Sequence, residues 1–240
     1  MTRVAIIAAM PGELKPLVRG WAHERRGNVE LWRWRFDEGE WVAACGGAGV
    51  DAATRAFAEV ERDGRADLVI SVGWAGALTP DLETGRAYAA SGVIDARTGE
   101  RFRVAIWSGE RWLVTSPIVA DGAEKRRLAA VYGAELVDME AAAVARLAQM
   151  RGIPFYCIKG VSDGINDKLP DFNRFIRPNG QFNLTGMVLF SILRPWHWPS
   201  LMRMGENSRK ASQSMREAVL DFLDERAYIR ERNGYPIHKH

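Results

Sequence analysis

Three acidic residues each stand just past an apolar run. Glu13 follows Val4 to Ala9 through Met10-Pro11-Gly12. Glu140 closes Leu136-Val137-Asp138-Met139-Glu140, and Asp163 closes Tyr156-Cys157-Ile158-Lys159-Gly160-Val161-Ser162-Asp163. Short apolar runs of this kind read as buried strands. Three strands would then deliver three carboxyl groups to their carboxyl ends, the edge where open α/β sheets bind ligands. Converging acids suit chemistry that develops positive charge on a substrate, as when a glycosidic bond breaks. Each acid also has a plainer explanation. Asp163 and Asp167 sit in turn-forming Ser-Asp-Gly and Asn-Asp pairs. Glu140 and Glu13 stand where a helix N-terminus favours an acid, and Pro11 is a good helix-starting residue.

The elements that must carry these residues alternate between strand and helix. Val4 to Ala9 is a strand and Glu13 to Gly20 reads helical. Val29 to Phe36 and Trp41 to Cys45 form a hairpin around Asp37 to Glu40. Gly49 to Glu61 is a helix with Ala52, Ala53, Ala56, Phe57 and Val60 on one face. Asp67 to Gly73 is a buried strand, Arg86 to Asp95 and Arg101 to Trp107 are longer exposed ones, and Trp112 to Ser116 is another. Helices Ala123 to Val131 and Glu140 to Met150 flank a strand at Glu135 to Met139, and Ile153 to Val161 is the last strand. The expected fold is α/β, a three-layer αβα sandwich around a mixed central β-sheet. One domain spans 1–240, with a divergent Trp-, Arg- and Pro-rich region from about residue 170, a polar helix near Ser208 to Arg226 and a loose tail beyond Arg230.

Composition narrows the function. The 240 residues are 47% hydrophobic and 26% charged, with a net charge of +3, which gives no reason to expect a nucleic-acid partner. Cys45 and Cys157 lie in apolar runs and read as buried free thiols in a reducing compartment. The apolar run after Met1 is too short for a signal peptide, and nothing approaches the roughly 18 apolar residues of a membrane span. His23, His197, His238 and His240 do not cluster, so no metal is expected. Gly47-x-Gly49-x-x-Ala52 after a strand is a weak dinucleotide signature, off the first strand and without the acid about twenty residues on.

Taken in order, five segments resemble the nucleoside phosphorylase/nucleosidase superfamily, most closely its methylthioadenosine/S-adenosylhomocysteine nucleosidases. They are Ile6 to Glu13, Cys45 to Ala53, Val69 to Leu78, Asp138 to Ala143 and Lys159 to Asp163. The resemblance implies an enzyme without a cofactor that takes a small nucleoside and forms a homodimer or larger assembly; with the free thiols, a cytoplasmic location is expected. It implies that Glu13 activates the attacking water, that Glu140 accepts hydrogen bonds from the ribose 2′- and 3′-hydroxyls, and that Met139 packs on the sugar. Asp163, oriented by Ser162, would protonate purine N7, which near neutral pH requires burial to raise its pKa. Ala9 and Gly76 fall within the motifs that line substrate. Phosphorylases of this superfamily usually carry a glycine-arginine phosphate loop near the N-terminus. Here Met10-Pro11-Gly12-Glu13 stands instead, which favours water over phosphate. Two residues depart from the pattern: Trp74 replaces a small residue beside the nucleophile, and Val119 replaces a base-stacking aromatic.

The Arg-, Pro- and Trp-rich region after Pro170, together with Val137-Asp138-Met139-Glu140 and Glu124-Lys125, looks similar to a hopanoid-biosynthesis-associated branch, which is implied to release adenine from an adenosylated hopane lipid. Its apolar patch at Met187 to Leu193, with Trp196, Trp198, Leu201 and Met202 beside Arg194, Arg203, Arg209 and Lys210, would suit peripheral contact with the inner membrane face. A packed core helix or a dimer contact would explain the same residues. The expected activity is therefore hydrolysis of an adenine nucleoside with a large or modified 5′ substituent. Phosphate-dependent phosphorolysis and non-catalytic nucleoside or lipid binding are the alternatives.

Overall fold

A computed structural model describes residues 2–37, 39–104, 110–167, 171–177, 183 and 198–232, with side chains of the last helix described to 224. Its strands are β1 (Thr2–Ala8), β2 (Ala22–Arg26), β3 (Val29–Phe36), β4 (Gly39–Cys45), β5 (Leu68–Ala77), β6 (Ala87–Ala89), β7 (Gly92–Asp95), β8 (Arg101–Arg103), β9 (Trp112–Thr115), β10 (Leu136–Asp138) and β11 (Phe155–Asp163). Its helices are α1 (Pro11–Leu14), α2 (Val50–Glu61), α3 (Gly122–Tyr132), α4 (Ala141–Met150) and α5 (Trp198–Arg232), with a 3-10 turn at Phe172–Phe175.

The strands form one mixed sheet, covered on both faces. Alternate residues of β1 divide between two cores: Ala5 and Ile7 pack with α2 and α4, whereas Val4, Ile6 and Ala8 pack with α1 and α5. Both faces are therefore apolar, which is why β1 reads as an unbroken hydrophobic run. Over the far half of the sheet, α3 lays Leu128 on Ile94, Val114 and Val137. This is the α/β sandwich expected from the alternation of elements.

The register of β5 creates the site. Along β5, β1 pairs in parallel with Leu68 to Ser71 and no further, so its carboxyl end stops partway along β5. β10 pairs with Gly76 and Ala77 on the same side of β5 but antiparallel, so it runs back toward the end of β1. The carboxyl ends of β1 and β10 thus face one another across a gap. β11 runs parallel along the other side of β5, and a shift between Val161 and Asp163 sets Asp163 opposite Gly76. The three acids do not hang from one common edge, as the apolar runs alone suggested. They meet in a gap because one of the three strands is reversed.

Several boundaries differ from the sequence reading. The helix expected over Glu13 to Gly20 is only one turn, Pro11–Leu14, and β2 was not anticipated. β5 continues to Ala77, and Arg86 to Asp95 is broken into two strands. The strand expected to reach Trp107 is described only as Arg101–Arg103, because residues 105–109 lie outside the described residues. So do the patch from Met187 to Leu193, Arg194, Trp196 and the residues after Arg232. α5 begins ten residues before the expected Ser208. Among the described residues, no helix is long and apolar enough to cross a membrane.

α5 crosses β11 where Gly160 has no side chain. A Cβ there would lie 2.8 Å from Ala211 Cβ and 2.9 Å from Ala211 O. Gly160→Ala should therefore push α5 outward and cost about 1–3 kcal/mol, as overpacking does. Urea denaturation reads the loss, and an unchanged midpoint would show that α5 is not seated this tightly.

Candidate active site

Glu13 is fixed by backbone donors. Its Oε2 accepts from the N–H groups of Ala9 and Met10, both at 2.8 Å, and its Oε1 accepts from Trp74 N–H at 2.9 Å. The carboxyl is buried, and burial pushes its pKa up, against the pull of those N–H groups and of Lys159.

Glu140 stands at the N-cap of α4 without capping it. That duty falls to Asp138, whose Oδ2 accepts from Ala141 N–H at 2.9 Å, and to Thr115, whose hydroxyl accepts from Ala142 N–H at 2.9 Å. Glu140 is left to face the gap, where Oε1 accepts from Gly49 N–H at 2.7 Å. The glycine turn before α2 thus has a carboxylate at its helix N-terminus, where a dinucleotide reading would put a phosphate. Burial first, and then the Asp138 carboxylate, push the Glu140 carboxyl up to about 8, while Lys159 pulls it down.

Lys159 is the residue that reading the sequence missed beneath these acids. It is 1% exposed, and its Nζ lies 2.9 Å from Asp138 Oδ2, 3.1 Å from Ser71 Oγ and 3.2 Å from Val72 O. Burial disfavours its charge, but Asp138 more than offsets this and holds its pKa above the ordinary lysine value. Asp138 also accepts from Thr115 Oγ1 at 2.7 Å. The signal was in the sequence as a lone lysine in a strand buried on both faces, where an unpaired charge is not tolerated.

Asp163 is also buried, but it is paired. Ser162 Oγ donates to its Oδ1 at 2.6 Å, and the Lys125 ammonium donates to its Oδ2. The sequence reading placed Ser162 beside a buried Asp163; the structure adds a cation from α3. The turn-capping role belongs to Asp167, whose Oδ2 accepts from Gly164 N–H at 2.7 Å.

Ala9, Glu13, Trp74, Gly76, Val119, Met139, Glu140, Ser162 and Asp163 all line one cavity of about 810 Å³. Val119 brings no ring, but the aromatic side chain of Phe172 lines the cavity too. Asn173 ties that turn to Val119 by accepting from Val119 N–H and donating to its carbonyl. Trp74 lies between α1 and α5, with Nε1 donating to Ser208 O at 3.0 Å or Ser212 Oγ at 2.9 Å. The far wall comes from α5, with Leu201, Met204 and Gly205 beside Ser208 and Arg209. Among the described residues, no group of three or more His, Cys, Asp and Glu side chains could hold a metal ion.

Two outcomes follow from these charges. A carboxyl whose folded pKa lies above its ordinary 4.5 costs stability once ionised, so the contribution of Glu140 to stability falls as pH rises from about 4.5 to about 8. Glu140→Gln should therefore gain stability relative to the parent across that window. Melting curves at several pH values test it, and a pH-independent difference would contradict it. Lys159→Met strands Asp138 as an unpaired buried charge and should cost about 3–5 kcal/mol by denaturant unfolding.

Comparison with known proteins agrees with this fold. The chain is similar in fold to the Helicobacter pylori MTAN with 5′-methylthioadenosine in its active site, at 16% identity and TM-score 0.69, covering 94% of this chain and 99% of that one. It is similar to the futalosine hydrolase of Helicobacter pylori, at 16% identity and TM-score 0.69, covering 93% and 98%. It is also similar to the Arabidopsis thaliana 5′-methylthioadenosine nucleosidase, at 16% identity and TM-score 0.69, covering 93% and 95%. No curated protein matches it in sequence. The model of the phosphorylase superfamily matches residues 3–105 and 96–183, most of the chain, and the protein therefore belongs to the phosphorylase superfamily.

Proposed function

We propose that this protein is a nucleosidase that hydrolyses the N-glycosidic bond of an adenine nucleoside carrying a large apolar 5′ substituent. The observation that carries this reading is the meeting of Glu13, Glu140 and Asp163 in one cavity, each buried and each held by hydrogen bonds. Glu13 takes the proton of the attacking water. Glu140 accepts from the ribose hydroxyls and opposes the positive charge that grows on the ring as the bond breaks. Met139 packs against the sugar, and the Ser162–Asp163 end meets the leaving base, which must gain a proton. Fold likeness to an enzyme that holds 5′-methylthioadenosine supports adenine as the base.

Water is the nucleophile in this reading. A phosphate dianion entering beside Glu13 and Glu140 would meet two carboxyl groups, and the Trp74 ring narrows the approach from α1. A Cβ on Gly12 would already lie 3.0 Å from that ring. The 5′ end of the ribose points to the remaining wall, where Phe172, Ile176, Leu201 and Met204 form an apolar surface. This suits a lipid-linked nucleoside such as an adenosylated hopane and supports the hopanoid-associated branch. Trp198 and Met202 are exposed on the same stretch of α5 and fit peripheral contact with the membrane that would present such a lipid. The protein works in the cytoplasm, as a homodimer.

The test is adenine release, followed by chromatography, from adenosine, methylthioadenosine, S-adenosylhomocysteine and adenosylhopane, each with and without phosphate. Release is expected without phosphate and fastest from the hopane. Glu13→Gln should lower kcat about 10²- to 10⁴-fold, and Asp163→Asn should abolish release. Release only with phosphate, giving ribose 1-phosphate, would make the protein a phosphorylase. Binding without release would make it a nucleoside- or lipid-binding protein.

A further inference from the structure

Glu13 shares its backbone donors unequally between its two oxygens. Oε2 accepts from both Ala9 N–H and Met10 N–H, while Oε1 accepts from Trp74 N–H alone. A carboxylate oxygen takes about two donors. Oε2 is therefore full, and the place left for a nucleophile on Glu13 is at Oε1. That place is bounded by β5. Gly73 stands at φ +142°, and a Cβ there would lie 3.0 Å from Glu13 Oε1 and 3.3 Å from its Cδ. The next residue, Trp74, lays its ring over Gly12, where a Cβ would lie 3.0 Å from Cη2. The ring is fixed from behind. Its Nε1–H donates to Ser208 O at 3.0 Å or Ser212 Oγ at 2.9 Å, and the buried Ser212 hydroxyl reaches Gly12 O at 3.2 Å. α5, β5 and α1 thus meet at one indole, which cannot turn aside without losing these bonds.

Charge opposes phosphate at this place, but it does not act on a neutral alcohol. An alcohol offers the same nucleophilic oxygen as water and differs from it in size. Rejecting it therefore takes a steric clash built into the site. Resting on the nucleosidase reading, we propose that the nucleophile binds at Glu13 Oε1 and that Trp74 is a size filter there, admitting water and rejecting alcohols. Methanol in that place would bond to C1′ through its oxygen and give its hydroxyl proton to Glu13. The C1′–N9 electron pair would leave with the base, which gains a proton at the Ser162–Asp163 end as in hydrolysis. The product would be a methyl glycoside in place of the free sugar. Trp74 thereby decides between hydrolysis and glycosyl transfer.

The partition between two products tests this whatever the overall rate. The nucleoside that releases adenine fastest is turned over in aqueous methanol, and methyl glycoside and free sugar are separated by chromatography. The parent protein should give the free sugar almost alone. Trp74→Ala should raise the ratio of methyl glycoside to free sugar about 10- to 200-fold, the range over which a fitted pocket discriminates one carbon. Trp74→Leu, which keeps an apolar side chain on β5, should raise the ratio too and serves if the alanine variant does not fold. Damage to the structure alone would slow both products together and leave their ratio unchanged. A parent ratio that follows the mole fraction of methanol, or an unchanged ratio in the variants while adenine is still released, would overturn the filter and leave the nucleosidase standing. No release from any nucleoside would overturn the nucleosidase reading and the filter with it.

Discussion

One buried ammonium organises the acidic half of the site. Lys159 sits under the sheet gap with Asp138 as its partner, and its charge also pulls down the pKa of Glu13 and Glu140. Without that cation, three carboxyl groups packed away from water would repel one another and be driven to protonate. The pairing also spans the sheet, because Lys159 belongs to β11 and Asp138 to β10, on opposite sides of β5. A buried ion pair is weak evidence for stability in itself, since desolvation offsets much of the attraction. Here its effect is one of arrangement. Asp138 is held in place to cap α4, and Glu140 is released from capping to face the cavity.

The gap exists because β5 is longer than β1. The part of β5 beyond β1 is free to pair with a reversed strand, and β10 takes that place. Two carboxyl ends then converge from opposite directions, which a purely parallel sheet cannot arrange. α5 closes the open side: it lies against Gly160, receives the Trp74 indole through Ser208 and Ser212, and lends its first turns to the cavity wall. Catalytic acids and the surface that would hold the rest of the substrate are therefore separate layers, one supplied by strand ends and the other by a helix laid across them.

Much of the scaffold was legible because it rests on local patterns. β1, β3, β4, α2, α4 and β11 follow from apolar runs, from period-3.6 faces and from glycine-rich turns, all of which are encoded within a dozen neighbouring residues. The fold class follows from their alternation. α1 is shorter than expected: Leu14, Leu17 and Val18 keep helical spacing and are buried, yet the chain after Leu14 forms turns. β2 escaped notice because it is a hydrogen-bonded partner of β3 with no apolar face of its own. The reversal of β10 leaves no mark in its few residues: Leu136-Val137-Asp138 would read the same in either direction.

The residue types of the site belong to the sequence: a carboxylate after each of three strands, a serine before the last, and no arginine in the first loop. Their chemistry belongs to the tertiary structure. Neighbours in sequence supplied only Ser162 as a partner for Asp163, but α3 brings Lys125 to it from 38 positions away. Lys159 finds Asp138 across an intervening strand, and Phe172 lines the cavity beside Val119 from a later turn. Charge pairing acts through space over a few ångströms, and the distance along the chain between partners carries no information about it. The sequence by itself determined which groups could react; only the folded chain decided which charges stand beside them.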